Sequence, residues 1–339
     1  MFTPVHTTLG ALLLFQGSSG LLLHNGAVFG ISSLLSGIAF NPSRDNVPII
    51  AGLVSSVVPV YLFAPSLIPS YPAAPHSWAS AAATLGVGFL LGWGTKNGRG
   101  CTSGHMLCGL SRLSPRSLIA TAVFFTTALL TANFVGGGAN IPACGATPCY
   151  TPVYPSGPEL VFMAGATILA GITNFGIVPR KVHRSEESRV AFSFIAGLEF
   201  GLGLLISGMA DPAKVLQFFA FLTEPSRFDP SLALIILFGI GPSLFTFMTE
   251  RPGQVFDKGK VVAKPTLAEK WRLPTATVAD IDWRFVAGAA SFGLAWGLRG
   301  VCPGPAVLRT VLQPTWGLAT MSGYMLGNLF ETLWRMLKL

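Results

Sequence analysis

Charge is what this chain has least of. Of its 339 residues, 22 are Lys or Arg and 14 are Asp or Glu, so 11% are charged, where a soluble globular chain carries roughly 25%. That scarcity excludes an ordinary water-soluble domain, and no polar stretch is long enough to separate two cores. A C-x-x-C pair is also missing, and with it the spacing expected of a dithiol redox centre. The first apolar run lacks a basic n-region and a small-residue cleavage site, so it reads as part of the fold, not as a removable signal peptide.

Apolar residues are abundant, at 51% of the chain, and mean hydropathy is +0.59. Apolar stretches lie near 9–23, 47–64, 78–95, 117–137, 158–178, 190–209, 231–248, 283–300 and 315–334, most approaching the ~20 residues that cross a hydrocarbon core. Four shorter pieces, 26–39, 102–114, 212–222 and 303–313, follow directly after Gly- or Pro-containing breaks. They are too short to span and read as re-entrant half-helices. The expected fold is an all-α integral membrane protein with about nine transmembrane helices and four such half-helices.

The excess of basic residues is a topology signal, not a nucleic-acid footprint. With nine spans and an outside N-terminus, 18 of the 22 Lys and Arg fall on the inner side, which sets the N-terminus outside and the C-terminus in the cytoplasm. The helix at 158–178 then reverses the second set of four spans relative to the first, giving an inverted repeat. The halves are 1–157 and 190–339, joined by a connecting helix and basic loop at 158–189, and the second half carries a basic cytoplasmic loop at 249–282. Inverted repeats whose broken helices meet near the midplane are a recurrent plan for transporters.

The two most informative breaks are GWGTKNGRGCTSGH around Cys101 and AWGLRGVCPGPA around Cys302. Each places a thiol beside a half-helix N-terminus, where free N–H groups and the positive dipole end favour an anion. Residues 102–105 and 303–306 would supply those N-termini. A thiol is a soft, weak donor, so the combination suits an anion that bears sulfur. The expected path takes in Arg99, Gly100, Cys101, Thr102, Ser103, Gly104, His105, Arg299, Cys302, Pro303 and Gly304, with Asn25 at the first break and Cys108 and Glu199 behind.

Other groups divide between function and structure. Cys101, His105 and Cys108, spaced i, i+4, i+7, would share one helical face and could hold a soft metal, although no fourth ligand is evident. Cys144 and Cys149 in CGATPC, within an outer loop free of Lys and Arg, can close a small disulfide or form a surface thiol pair that first receives substrate. Glu199 is a charged residue inside a span, a functional signal by default. Asp211 and Lys214, i and i+3, suggest a local ion pair, with Asp211 an N-cap before Pro212. The segment 250–282 reads as a solvated linker, or as a dock for a partner.

NGRGCTSGHMLCGLSRLSPRS at 97–117, GLRGVCPGPA at 297–306 and SGMADPAKVLQFF at 207–219 with DPSLAL at 229–234 resemble the signatures of the YeeE/YedE family of sulfur-compound transporters and of a companion half that bacteria often encode separately. The chain resembles a fusion of the two. The resemblance implies an hourglass-shaped transporter in which thiols pass thiosulfate along by S–H···S hydrogen bonds, with Cys101 and Cys302 matching the two central cysteines. Family members have a further cysteine at the first break, where this chain offers His24, Asn25 and Ser32. The expected function is uptake of a small sulfur anion, thiosulfate foremost, through the cell membrane, by a non-enzyme with no cofactor and no metal. A cytoplasmic sulfur-carrier protein could be a partner; nucleic acid is not. The alternatives are a membrane thiol–disulfide redox protein and a soft-metal importer using Cys101, His105 and Cys108.

Overall fold

The computed structural model describes residues 1–135, 141–253, 255–256, 260–261 and 264–337; the end of the apolar stretch at 117–137 and the start of the loop after it lie outside them. The chain is helical, with one short hairpin of Val255–Phe256 against Lys260–Val261. Helices occupy all nine apolar stretches: α1 Pro4–Asn25; α2 Ile31–Phe40; α3 Val47–Ser55 continued by α4 Val57–Phe63; α5 Trp78–Asn97; a widened π-helical turn at Thr102–Leu107 running into α6 Cys108–Ser111; α7 Pro115–Phe134; α8 Gly157–Gly171 and α9 Val178–Lys181; α10 Glu186–Ile206; α11 Pro212–Phe218; α12 Gly241–Glu250; α13 Trp283–Arg299; α14 Pro303–Leu312; and α15 Pro314–Leu337. The four predicted half-helices correspond to α2, to the π-turn with α6, to α11 and to α14.

Among the described residues, four helical runs, 115–134, 157–181, 186–206 and 230–250, are long and apolar enough to cross a membrane, and the bent pair α13–α14, counted as one span, makes a fifth. Helices α1, α5 and α15 have the length, at 22, 20 and 24 residues, but carry polar side chains that lower their hydropathy. Several of those side chains point inward: Gln16, Ser18, Ser19, Thr95, Asn97, Thr320 and Asn328 are all buried.

Local chemistry sets the helix ends. Ser114 caps α7 by accepting from Ser117 N, Asp211 caps α11 by accepting from Ala213 N, and Asp282 caps α13 by accepting from Phe285 N, each satisfying an otherwise orphaned donor. Two further π-turns, Ile172–Ile177 and Ile236–Ile240, stand just before Pro179 and Pro242. A proline removes the bond to the carbonyl four residues back and clashes with it, and the widened turn accommodates this without breaking the helix.

Packing relies on small residues. A Cβ on Gly197 would collide with Ile49 O, and one on Gly52 with Phe194 O, so α3 and α10 meet backbone to backbone. The same holds between α5 and α15, through Gly88, Gly92, Gly323 and Gly327. Helix pairs occur in exchanged sets: α3 lies on α10 as α12 lies on α1, α5 on α15 as α13 on α7, while α1–α10 and α5–α13 map onto themselves. The pairing is thus unchanged when α1, α3, α5 and α7 are exchanged for α10, α12, α13 and α15.

Two expectations are corrected. Lys214 does not take Asp211 as its partner; its ammonium lies 3.0 Å from Asp229 Oδ2 and also donates to Thr3 Oγ1 at 2.7 Å, because Asp211 is committed to the α11 N-terminus. The segment after the hairpin is also no solvated linker between 264 and 274. Leu267 N donates to His24 O and Arg272 N to Gly26 O, covering carbonyls that the end of α1 leaves without helical partners, and Leu267 and Ala268 are buried.

Candidate functional site

All four breaks converge on one cavity. Ile31 at the first, Cys101, Thr102 and Ser103 at the second, Met209 at the third, and Cys302, Gly304 and Pro305 at the fourth line a space of about 60 Å³. Since about 10–15 Å³ by this measure admits one water, there is room for one small anion. The remaining wall is apolar, including Leu14, Phe125, Phe200, Leu204 and Trp296.

The two breaks that carry thiols touch. Cys101 and Cys302 are 1% and 3% exposed, and each stands in extended backbone immediately before a short helix. Thr102 Oγ1 donates to Cys302 Sγ at 3.6 Å across the junction. Cys101 Sγ lies 3.3 Å from Ser103 Oγ, which itself accepts from Ile31 N at 3.1 Å, so the first and second breaks are bonded as well. Gly300 ends α13 in left-handed backbone (φ 65°) with its α-carbon against Pro212 O; a side chain there would be strained and would also push the fourth break off the third.

The helix N-termini contribute unequally. At the second break the N–H groups of Thr102, Ser103 and Gly104 precede the first helical bond, His105 N to Cys101 O. At the fourth, the expectation that 303–306 present a full set of donors is corrected: Pro303 and Pro305 have no N–H, and Ala306 N is spent on Cys302 O at 2.9 Å. Only Gly304 N–H is left.

His105, Cys108, Asn25 and Glu199 do not line the cavity. His105 is held between Gly98 O, to which Nε2 lies at 2.9 Å, and Ser117 Oγ, 3.1 Å from Nδ1. The carbonyl can only accept, so Nε2 carries the proton and Nδ1 accepts from the serine, leaving no lone pair for a metal. Cys108 Sγ donates to Phe29 O at 3.5 Å. The shared helical face expected for Cys101, His105 and Cys108 does not form, because the π-turn replaces the 3.6-residue period and Cys101 stands outside the helix. Among the described residues no group of three or more His, Cys, Asp or Glu is placed to hold a metal. The amide of Asn25 donates to Arg189 O and Ser193 Oγ. Glu199 accepts from Asn174 Nδ2 at 2.9 and 3.0 Å, and Asn174 O in turn meets His24 Nε2 at 3.0 Å.

A basic vestibule adjoins the region at each end. Helices α5 and α15 run between them: Ser80, Thr84, Trp316 and Thr320 line one, of about 550 Å³, and Thr95, Lys96, Asn328 and Arg335 the other, of about 770 Å³. Arg299 and Arg309 face the first; Arg99 and Gly100 face the second and also a neighbouring space of about 500 Å³ that Gly104, Arg112 and Arg116 line. Cys144 and Cys149 are joined as a disulfide, and Cys149 N donates to Ser226 O at 2.8 Å.

Trp296 is the residue the sequence reading passed over. Its ring lines the cavity, packed edge-on to Phe219 at 4.9 Å between centroids, and its buried indole N–H has no partner. Both breaks contain a Trp-Gly pair, a signal that could have pointed to it.

Fold and cavity together define a polytopic helical membrane protein with re-entrant helices meeting at one internal site. Residues 188–336 match a family described as a family of unknown function (DUF6691). Over 130 residues the chain is 38% identical to a probable transporter of Xylella fastidiosa (strain Temecula1 / ATCC 700964), an alignment covering 38% of this chain and 92% of that protein. A probable transporter of strain 9a5c is 39% identical over 128 residues, covering 37% of this chain and 79% of its own length. The chain belongs to the family of these proteins, each of which corresponds to just over a third of it.

Proposed function

We propose that this protein transports a small sulfur-containing anion, thiosulfate foremost, inward across the cell membrane, with Cys101 and Cys302 handing it through the central cavity by hydrogen bonds from their thiols. The convergence of all four breaks and both thiols on one anion-sized cavity carries this reading. The kinship with probable transporters supports transport in general. The soft-metal alternative has less to rest on, given the engaged ring nitrogens of His105 and the π-turn that separates it from Cys101, and the thiol–disulfide alternative lacks a C-x-x-C pair.

The residues have distinct parts in the reading. Basic vestibules gather the anion, through Arg299 and Arg309 at one end and Arg99 at the other. In the cavity, Ser103 N–H and Gly304 N–H face the oxygens, while the thiols meet the soft terminal sulfur. An apolar wall strips water, and weak donors hold the ion without trapping it. Helices α1, α3–α4, α5 and α15 cross with the five apolar spans, making nine, with the N-terminus outside and the C-terminus cytoplasmic. The segment 264–274, laid over the end of α1, is the surface that a cytoplasmic sulfur-carrier protein would meet.

Uptake of radiolabelled thiosulfate by bacterial cells lacking their own sulfate and thiosulfate importers tests the proposal. Uptake by the parent that collapses in Cys101→Ala and Cys302→Ala at matched membrane expression is expected. No uptake by a well-expressed parent removes thiosulfate as substrate.

A further inference from the structure

Arg116 stands at the second residue of α7, buried to 7% exposure. Its guanidinium lies over the ring of Phe285, 5.0 Å from the centroid, and its Nε and Nη2 are buried without any hydrogen-bond partner. A desolvated cation is costly unless an anion faces it, and a cation–π contact offsets only part of that cost. No carboxylate among the described residues forms an ion pair with Arg116: Asp45 is engaged by Arg272 at 2.6 Å and Arg189 at 3.1 Å, and Asp280, whose charge reaches Arg116 and Arg99 without contact, is exposed and accepts from Thr277 N at 2.7 Å.

The surroundings call for the same missing partner. Arg116 lines the 500 Å³ space together with Arg99, Arg112 and Arg272, with Asp45 the one acid on its wall. The α7 N-terminus opens onto it through Ser114 and Ser117, adding the positive end of a 20-residue helix to the guanidinium charge. Pro115 has no N–H and Ser117 N is taken by the Ser114 cap, so the first turn of α7 leaves the Arg116 N–H, and a forked guanidinium with that one amide matches a tetrahedral oxoanion, whose oxygens can accept from both at once.

We propose that Arg116, with Arg112 and the N-terminus of α7, forms an oxoanion-binding site in this vestibule, apart from the cysteine-lined cavity. Its ligand is a sulfate- or phosphate-like group, supplied either as a free ion or as the headgroup of an acidic phospholipid. The site does not depend on thiosulfate being the transported species.

The test uses the full chain in nanodiscs of uncharged phosphatidylcholine, with equilibrium binding of radiolabelled inorganic phosphate, sulfate and thiosulfate, and native mass spectrometry of the protein as purified. Saturable binding of one oxoanion per chain, weakened about tenfold or more in Arg116→Gln and largely kept in Arg116→Lys, is the expected result for a free ion, tenfold being what the loss of one charge-assisted contact gives. An acidic phospholipid retained by the parent and lost from Arg116→Gln identifies the headgroup as the source. If Arg116→Gln does not yield a monodisperse protein, Arg112→Gln must weaken binding in its place. Absence of both saturable oxoanion binding and retained acidic lipid overturns the proposal, as does retention that is indifferent to whichever arginine variant folds.

Discussion

Removing the two central thiols, singly and together, is the sharpest perturbation of the proposed path. Each Cys→Ala change deletes one sulfur from a nearly sealed position. The void, on the order of 20 Å³, costs only about 0.5 kcal/mol of stability at ~24 cal/mol per Å³, so both variants should insert and fold. The effect on transport is larger. A thiol donating to an anion contributes about 1–1.5 kcal/mol, which at roughly 1.4 kcal/mol per decade lowers the rate some five- to twelve-fold for each cysteine. Because both sulfurs line one 60 Å³ cavity, an anion in transit meets them together, and the two losses should multiply to roughly 25- to 150-fold in the double variant, as independent contacts to one ligand do. Cys302→Ala should fall below Cys302→Ser, since alanine also leaves the Thr102 hydroxyl without its sulfur acceptor. The assay is initial-rate thiosulfate uptake at matched membrane expression. A double variant no slower than the worse single would place the thiols at successive steps and refute simultaneous contact; uptake indifferent to both would refute the thiol path altogether.

Other consequences can be checked separately. Trp296→Phe keeps the aromatic packing but deletes the unpartnered N–H, so uptake should fall about fivefold, the equivalent of ~1 kcal/mol, with an unchanged melting temperature; equal uptake would mean the indole does not touch the anion. Gly197→Ala forces α3 and α10 apart at Ile49 O and should cost about 1–3 kcal/mol, read as a lower melting temperature in detergent, whereas Gly86→Ala, with open space around it, should not. The hydrogen bond from Arg272 holds the Asp45 carboxyl below the usual carboxylate range, helped by the nearby charges of Arg272 and Arg189. A depressed carboxyl contributes its stabilisation above its ordinary pKa and loses it as pH falls through the folded value. Protection of the 264–274 amides against hydrogen exchange, each rate taken relative to its intrinsic rate at that pH, should therefore fall in acid below about pH 4, the ordinary carboxylate range, and Asp45→Asn should reproduce that loss of protection at neutral pH. Protection independent of both pH and substitution would show that the Asp45–Arg272 pair does not anchor the segment.

The helices were legible in the sequence because their signals are local. Runs of apolar residues marked every long element, and prolines such as Pro115, Pro212 and Pro303 marked helix starts. The two cysteines could be brought together from their matched breaks, and they do share a cavity. What failed were inferences that needed non-local partners or a non-standard period. Lys214 found Asp229, fifteen residues on, in place of Asp211. His105 left the expected face because Thr102–Leu107 winds as a π-turn, which no residue type announces. Trp296 carried no signal beyond the Trp-Gly pair of its break, and only its packing among Phe124, Phe219 and Phe292 reveals an idle donor at the cavity wall. The segment 264–274 looked soluble by composition, yet its backbone satisfies the end of a helix more than two hundred residues earlier.

The Pro-Gly-Pro start of α14 gives the fourth break a deliberate poverty of donors. Most helix N-termini that receive anions grip them with several amides; this one offers Gly304 alone. A break that adds only one amide and one thiol to the ion's contacts does little to lengthen its stay, so the arrangement favours throughput over capture. Such a site would saturate late, tolerate high substrate concentrations without clogging, and reject sulfate, which has no terminal sulfur for the two thiols to meet and so gains little for the water it loses.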